Sequence, residues 1–239
     1  MKEEVSNRKV FFNSFILLMM TQLVVAQVKI NQFDSYGKRH GVWIKYYKSN
    51  KSIRYKGKFN HGKEIGVFKY YDINNDKTPV IIREFNSDNN FENVSFYSKD
   101  GILQSKGKMQ GKIRIGKWTY YHKDGKTILS EERYVNGKIN GESKVYYANG
   151  KLTEVMHYVN GKLNGNYKRY SSRGFLYQDL TYLNGVLSGP AVFYDRKSGK
   201  ILSRGNFKNN KRVGTWQHFE NNKSIRKSNY SNKLKKTKY

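Results

Sequence analysis

The chain has 239 residues with 37% hydrophobic content, which suffices for one large domain or two small ones. Its 20 Tyr, 13 Phe and 21 Gly stand beside only 2 Pro, a composition typical of many short β-strands. The net charge of +28 comes mainly from lysine. Arginine is the residue that makes bidentate hydrogen bonds to phosphates and base edges, so we do not expect a nucleic-acid partner. The absence of cysteine excludes disulfides, so ladder hydrogen bonds and aromatic packing must hold the fold.

The first 26 residues have the pattern of a signal peptide. Three basic residues lie near the start, an apolar stretch covers residues 10–25, and the small residue Ala26 precedes Gln27. We predict cleavage between Ala26 and Gln27, and therefore a secreted, periplasmic or cell-surface protein. The alternative is an uncleaved N-terminal membrane anchor, which the short and polar-interrupted apolar stretch disfavours.

Residues 27–230 form a tandem repeat of about eight units, each of roughly 24 residues. Residues 134–157 align with residues 158–181 without a gap. Each unit begins with an aromatic residue or methionine: Phe59, Phe85, Met109, Tyr134, Tyr158, Tyr182, Phe207 and Tyr230. A typical unit has a first glycine in a turn, such as Gly137, and a second glycine seven residues after the leading residue, such as Gly141. One copy, residues 85–108, has lost both of these glycines and has Glu92-Asn93 at the second glycine's place, yet Phe96-Tyr97 and Asp100-Gly101 keep the register. Residues 231–239 are a basic C-terminal tail, whose lysines would discourage pairing at a sheet edge.

Each unit carries two turn signals. One is Asn-Gly or a variant of it, at Asn136-Gly137, Asn160-Gly161 and Asn184-Gly185, with His61-Gly62 and Gln110-Gly111 as variants. The other lies in the middle of the unit, at Asp124-Gly125, Asn149-Gly150, Arg173-Gly174 and Ser198-Gly199. Both kinds tolerate the positive φ that a tight hairpin turn requires. Between the turns, residues alternate as in a strand and no helical period appears, which predicts an all-β fold: tandem β-hairpins in one elongated, twisted, antiparallel meander sheet.

Three segments, GKWTYYHKDGK, GESKVYYANGK and GVWIKYYKSNK, resemble MORN repeats, in the variant common in bacterial proteins of the YwqK type. The resemblance covers nearly all of the chain after residue 26. It implies β-hairpins stacked into one long twisted sheet, and it carries two functional associations: contact with membranes or phospholipids, and a role as an antitoxin component. A cytosolic antitoxin would not carry a signal peptide, so we give the second association little weight.

The sequence predicts no catalytic, cofactor or metal site, and therefore not an enzyme. The histidines fall at different phases of the repeat, and none has a local metal-ligand spacing: His40, His61, His122, His157 and His218. The adjacent acids Glu131 and Glu132 would point to opposite faces of a strand, which disfavours a shared proton.

The best candidates for binding are aromatic residues at one repeat position, two residues after the second glycine. They are Trp43, Phe68, Trp118, Tyr167 and Trp216. These side chains would either contact a ligand or pack within the sheet. We expect an exported, non-enzymatic scaffold that binds a protein partner at the cell envelope. The alternative is a surface for glycans, anionic lipid or polysaccharide. The sequence leaves the identity of the partner and the oligomeric state open.

Overall fold

A computed structural model describes residues 29–86, 89–221 and 223–230. Within these ranges all regular structure is β, and eighteen strands form one open antiparallel sheet, as predicted. No helix in this part of the chain has the length and apolar character needed to cross a membrane. The predicted signal peptide and its cleavage site at Ala26 and Gln27 lie outside the described residues, as does the basic tail at 231–239.

The strands follow one another along the chain with short connections. They are β1 (Gln32–Phe33), β2 (Arg39–Tyr46), β3 (Ile53–Asn60), β4 (Lys63–Asp72), β5 (Asn75–Phe85), β6 (Phe91–Tyr97), β7 (Leu103–Gln110), β8 (Ile113–Tyr121), β9 (Ile128–Val135), β10 (Lys138–Ile139), β11 (Gly141–Tyr146), β12 (Leu152–Val159), β13 (Lys162–Tyr170), β14 (Leu176–Leu183), β15 (Val186–Tyr194), β16 (Ile201–Lys208), β17 (Lys211–Glu220) and β18 (Lys223–Tyr230).

The sheet is a meander in which each strand pairs with the next. β9 pairs with both β10 and β11, which are two parts of one interrupted strand. At the start of the array Ile30 bridges Val42 in parallel, the Asn31 N–H donates to the Val42 carbonyl, and the Asn31 side chain accepts from the Ile44 N–H. This segment covers part of the free edge of β2.

The predicted Asn-Gly turns and the His61-Gly62 variant are two-residue hairpin turns with positive φ at both positions. The predicted variant Gln110-Gly111 was wrong by one residue: Gln110 ends β7, the loop is Gly111-Lys112, and of these two residues only Gly111 has a positive φ, 62°. Asn160 and Gly161 have φ of 50° and 82°, and His61 and Gly62 have 47° and 85°. Both central residues with positive φ define the type I′ turn, whose twist matches that of the strands. A further turn of this kind has no glycine: Asn209 and Asn210 have φ of 51° and 64°. An Asn-Asn pair has no glycine, so the Asn-Gly pattern does not predict this turn.

Each of these turns is also bonded to the preceding repeat. The second turn residue donates its N–H to a carbonyl one repeat earlier: Gly62 to Arg39, Gly137 to Arg114, Gly161 to Ile139, Gly185 to Leu163 and Asn210 to Leu187. The N···O distances run from 2.7 to 3.1 Å, which is normal hydrogen-bond geometry. The turns therefore join repeats as well as strands.

The second glycine of the unit faces the leading aromatic residue of the next unit. Gly116, for example, is paired with Tyr134 and has a φ of 63°. In the eroded copy Glu92 takes the glycine position, and the residue that faces it is Met109 instead of an aromatic ring. β5 and β6 pair there without a register shift, so the strands keep their register through this copy, as predicted.

The largest fully buried side chains lie on one face of the sheet, the inner face; they are Phe59, Phe68, Trp118 and Trp216. The Trp118 ring lies directly on the backbone of Gly107 in the neighbouring strand, where a Cβ atom would come within 2.4 Å of the ring. Gly57 under Phe68 and Gly205 under Trp216 repeat this arrangement.

Other units fill the same place differently. At the same spacing, Met156 is paired with Tyr167 and Leu180 with Ala191. In the Leu180–Ala191 pair a large residue meets a small one in the opposite order to Gly107 and Trp118, so the side-chain volumes compensate, whereas Met156 and Tyr167 are both large.

Candidate functional site

The aromatic candidates for binding lie mostly in the core. Phe68, Trp118 and Trp216 have no exposed surface, so in this conformation packing within the sheet accounts for them. Trp43 is half-buried between Phe33 and Phe59, at ring centroid distances of 5.1 and 5.9 Å. Tyr167 is half-buried against Tyr182, and its burial, together with the nearby Glu154 carboxylate, raises its pKa to about 12.

An arginine precedes each tryptophan by four residues in the sequence, and its guanidinium group stacks on the indole ring. The guanidinium carbon of Arg114 lies 4.6 Å from the Trp118 ring centroid, and that of Arg212 lies 4.2 Å from the Trp216 centroid. Such a cation–π contact stabilises the packing of the arginine on the tryptophan and fixes the position of the guanidinium group. These arginines serve the core, so the positive charge available to a ligand comes mainly from lysines.

The opposite face, the outer face, carries rows of polar side chains. Lys117 pairs with Glu131 across β8 and β9, and Lys168 lies 3.7 Å from Asp179 across β13 and β14. Hydrogen bonding to Lys117 holds the pKa of Glu131 below its usual value. The middle of this face is therefore of mixed charge.

Glu132, next to Glu131 in the sequence, accepts a hydrogen bond from the Tyr134 hydroxyl at 2.6 Å, while Glu131 is held by Lys117. The two carboxylates therefore have different partners, in agreement with the predicted opposite directions.

Apolar residues form a strip on the outer face beside the Asn-Gly turns. Its members are Val135, Val159 and Leu183, which occupy the same position in three consecutive units and are 47%, 45% and 57% exposed. Val135 is paired with Lys138, and Val159 with Lys162. An exposed apolar row bordered by lysines differs from the scattered apolar residues of an ordinary surface.

A second constellation lies at the N-terminal end of the array, formed by Asp34, His40 and His61. One potential ligand atom of each residue lies within 4.8 Å of the others. The Asp34 side chain is only 8% exposed and contacts His61 Nδ1 through Oδ2 at 2.6 Å, while its Oδ1 accepts from the Tyr36 and Lys38 N–H groups. The bond from the Lys38 N–H is the main cause of a lowered Asp34 pKa, with His61 contributing.

The local spacing of the histidines predicted no metal site, and this cluster has no local spacing that could indicate it. Asp34 lies between β1 and β2, His40 in β2, and His61 in the turn between β3 and β4. Strand pairing brings these segments together, and no short sequence motif indicates that pairing.

A search of curated proteins gives no match to this chain. MORN repeats in general are non-enzymatic motifs that bind proteins or lipids. Residues 139–160, which extend from the end of β10 to the turn after β12, match the family model described as MORN repeat variant. The predicted resemblance to MORN repeats is confirmed for these residues: the hairpin of β11 and β12 is similar to a MORN repeat variant.

Proposed function

We propose that this protein is an exported, non-enzymatic scaffold at the cell envelope, and that it binds a protein partner along the strip formed by Val135, Val159 and Leu183. The observation that supports this proposal is the regular exposure of three apolar side chains on the outer face, next to Lys138 and Lys162. The candidate rings Phe68, Trp118 and Trp216 are used by the core, and the strip offers instead an apolar surface that repeats from unit to unit.

The spacing of the strip favours a helical partner segment. Neighbouring strip residues lie two strands apart, which corresponds to about 10 Å at about 4.8 Å per strand. An α-helix advances about 10.5 Å in seven residues, so a helix with one apolar residue per heptad matches this step. The adjacent Lys138 and Lys162 favour acidic residues along the borders of such a helix.

Site-specific photocrosslinking tests the strip. A photoreactive amino acid replaces Val159 in producing cells, or replaces the exposed Val67 on another part of the outer face as a control. We expect a discrete protein adduct from position 159 and none from position 67.

The partner identified in this way is then titrated with the double variant Val159→Lys and Leu183→Lys. Lysine occurs naturally at the same position of a later unit, Lys208, so the variant should fold normally. We expect affinity to fall at least tenfold, and to change less than twofold for Val67→Lys. Equal affinity of the double variant and the original chain would refute the strip as the binding site.

A second candidate function is the binding of anionic lipid headgroups, and it has a specific observation in its favour. Lys56 and Lys69 are direct cross-strand partners on the outer face of β3 and β4. Like charges directly opposite each other are destabilising, and an anionic surface would relieve the repulsion.

Liposome sedimentation separates this function from the first. Binding to anionic vesicles at low salt should be lost at high salt and weakened by Lys56→Gln with Lys69→Gln. The matched control, Lys117→Gln with Lys144→Gln, removes lysines that already have carboxylate partners. If the chain sediments equally with neutral vesicles, or with neither kind, the lipid function is excluded.

Export is tested separately by sequencing the N-terminus of the protein from its natural compartment. We expect a first residue of Gln27, and a chain that begins at Met1 would contradict the proposed location.

A further inference from the structure

Three side chains with the right chemistry for a metal ion meet at the N-terminal end of the array. His61 Nδ1 and Asp34 Oδ2 are 2.6 Å apart, and the rings of His40 and His61 lie with their centroids 4.9 Å apart. The two histidines are exposed, whereas the Asp34 carboxylate is nearly buried and is oriented by two backbone N–H donors. One carboxylate oxygen is thus fixed in place and faces two adjustable imidazoles.

Both histidines differ from what the repeat places at their positions. The first residue of the hairpin turn is asparagine in four other units, namely Asn136, Asn160, Asn184 and Asn209, and glycine in a fifth, Gly111, but histidine at position 61. The residue before the second glycine is isoleucine, asparagine, serine or valine in other units, but histidine at position 40.

At position 61 the backbone has a φ of 47°, a conformation that asparagine adopts more readily than most residues. Histidine also tolerates this conformation, so turn formation permits His61 but does not favour it over asparagine. Both departures from the repeat occur beside the same buried carboxylate.

From this coincidence we infer that Asp34, His40 and His61 form a binding site for a divalent transition-metal ion, with Zn²⁺ as the preferred ion. Two imidazoles and one carboxylate suit zinc, whereas Mg²⁺ and Ca²⁺ prefer oxygen ligands alone. The three side chains would leave the fourth position of a tetrahedral ion to water.

The observed separations are close to those of a bound ion. Ligands about 2.0–2.1 Å from a tetrahedral zinc lie about 3.4 Å from one another. The potential ligand atoms here lie within 4.8 Å, so the exposed histidines need only small side-chain movements. The ion takes the place of the hydrogen between His61 Nδ1 and Asp34 Oδ2, and any proton held there is released to solvent.

The site would connect three segments of the chain. Asp34 belongs to the segment that precedes the regular repeats, and His61 to the turn between β3 and β4. A bound ion would therefore fasten the N-terminal segment to the first complete hairpin, and it should raise the stability of that end of the array.

Calorimetric titration of Zn²⁺ into the chain tests the inference, with protein purified without a histidine tag and treated with chelator beforehand. We expect one Zn²⁺ per chain, and at least a tenfold loss of affinity in His40→Asn and in His61→Asn. Both variants install residues that occur at the same positions of other units, Asn140 and Asn136, so they should fold as the original does. His157→Asn is the matched control, because His157 also has a carboxylate neighbour, Glu142 at 3.8 Å, but no second histidine within the cluster.

Cobalt gives an independent readout, because Co²⁺ bound at a tetrahedral nitrogen and oxygen site absorbs visible light. This absorption should appear with the original chain and with His157→Asn, and be absent with His61→Asn. The inference is overturned if no Zn²⁺ binds, if His40→Asn and His61→Asn bind as tightly as the original, or if His157→Asn loses affinity to the same extent.

Discussion

Exchange of one core pair for another tests the volume compensation between neighbouring strands. In one unit Gly107 lies under Trp118, and in another Leu180 faces Ala191 at the same spacing. We expect the double variant Gly107→Leu with Trp118→Ala to lose much less unfolding free energy than the sum of the losses of its two single variants. The exchange moves volume from one strand to the other and keeps the core filled.

The magnitudes follow from the contacts. Trp118 is fully buried, so Trp118→Ala should cost about 3–5 kcal/mol of unfolding free energy. A side chain at Gly107 would begin 2.4 Å from the Trp118 ring, so Gly107→Leu should cost about 3 kcal/mol by overpacking. If the effects were independent, the double variant would lose about 6–8 kcal/mol.

We expect a smaller loss in the double variant, about 2–3 kcal/mol. Two effects remain there: the Lys108 carbonyl loses its bond from the Trp118 indole N–H at 3.0 Å, and Arg114 loses the ring on which it stacks. Urea unfolding followed by far-ultraviolet circular dichroism measures all four chains of the cycle. A double variant whose loss equals the sum of the single losses within about 0.5 kcal/mol would refute the compensation.

Two further predictions concern the second glycine and the turn in the middle of the unit. Gly116 has a φ of 63° and open space around its Cβ position, so Gly116→Ala should cost only the backbone penalty of about 1–2 kcal/mol, and Gly116→Asn less, in the same urea assay. Hydrogen bonds from the Thr127 hydroxyl and from backbone N–H groups lower the pKa of Asp124 to about 2. The ionised Asp124 carboxylate therefore stabilises the fold above the unfolded-state pKa near 3.8, and this stabilisation is lost as the pH falls towards 2. Thr127→Val should move the Asp124 pKa upwards in a carboxyl NMR titration, and an unchanged pKa would contradict the assigned cause.

The parts of the fold that the sequence predicts are those set by local chemistry. Asn-Gly at 136–137, 160–161 and 184–185 forms the expected turn because residues with low penalties for positive φ determine the turn without help from other segments. The register of the eroded copy is also predictable, because Asp100-Gly101 still supplies a turn. Asn209-Asn210 shows the limit of the rule, since asparagine alone can supply both positive φ values.

The candidate sites depend on contacts between segments and were harder to predict. Whether Trp118 contacts a ligand or the core is decided by Gly107 on another strand, and the sequence alone left both alternatives open. The cluster of Asp34, His40 and His61 joins residues that no short motif connects. The apolar strip could have been found, because Val135, Val159 and Leu183 recur at one repeat position immediately before the turns.

The hydrogen bonds between repeats give the array a direction. Each turn N–H is donated by a later unit to a carbonyl of the earlier one, as from Gly161 to Ile139 and from Gly185 to Leu163. Removal of the last unit leaves the turns of all earlier units bonded, whereas removal of the first unit leaves the turn of the second without its acceptor. Erosion by a protease should therefore spread more readily from the N-terminal end, where Asn31 and its neighbours cover the edge of β2.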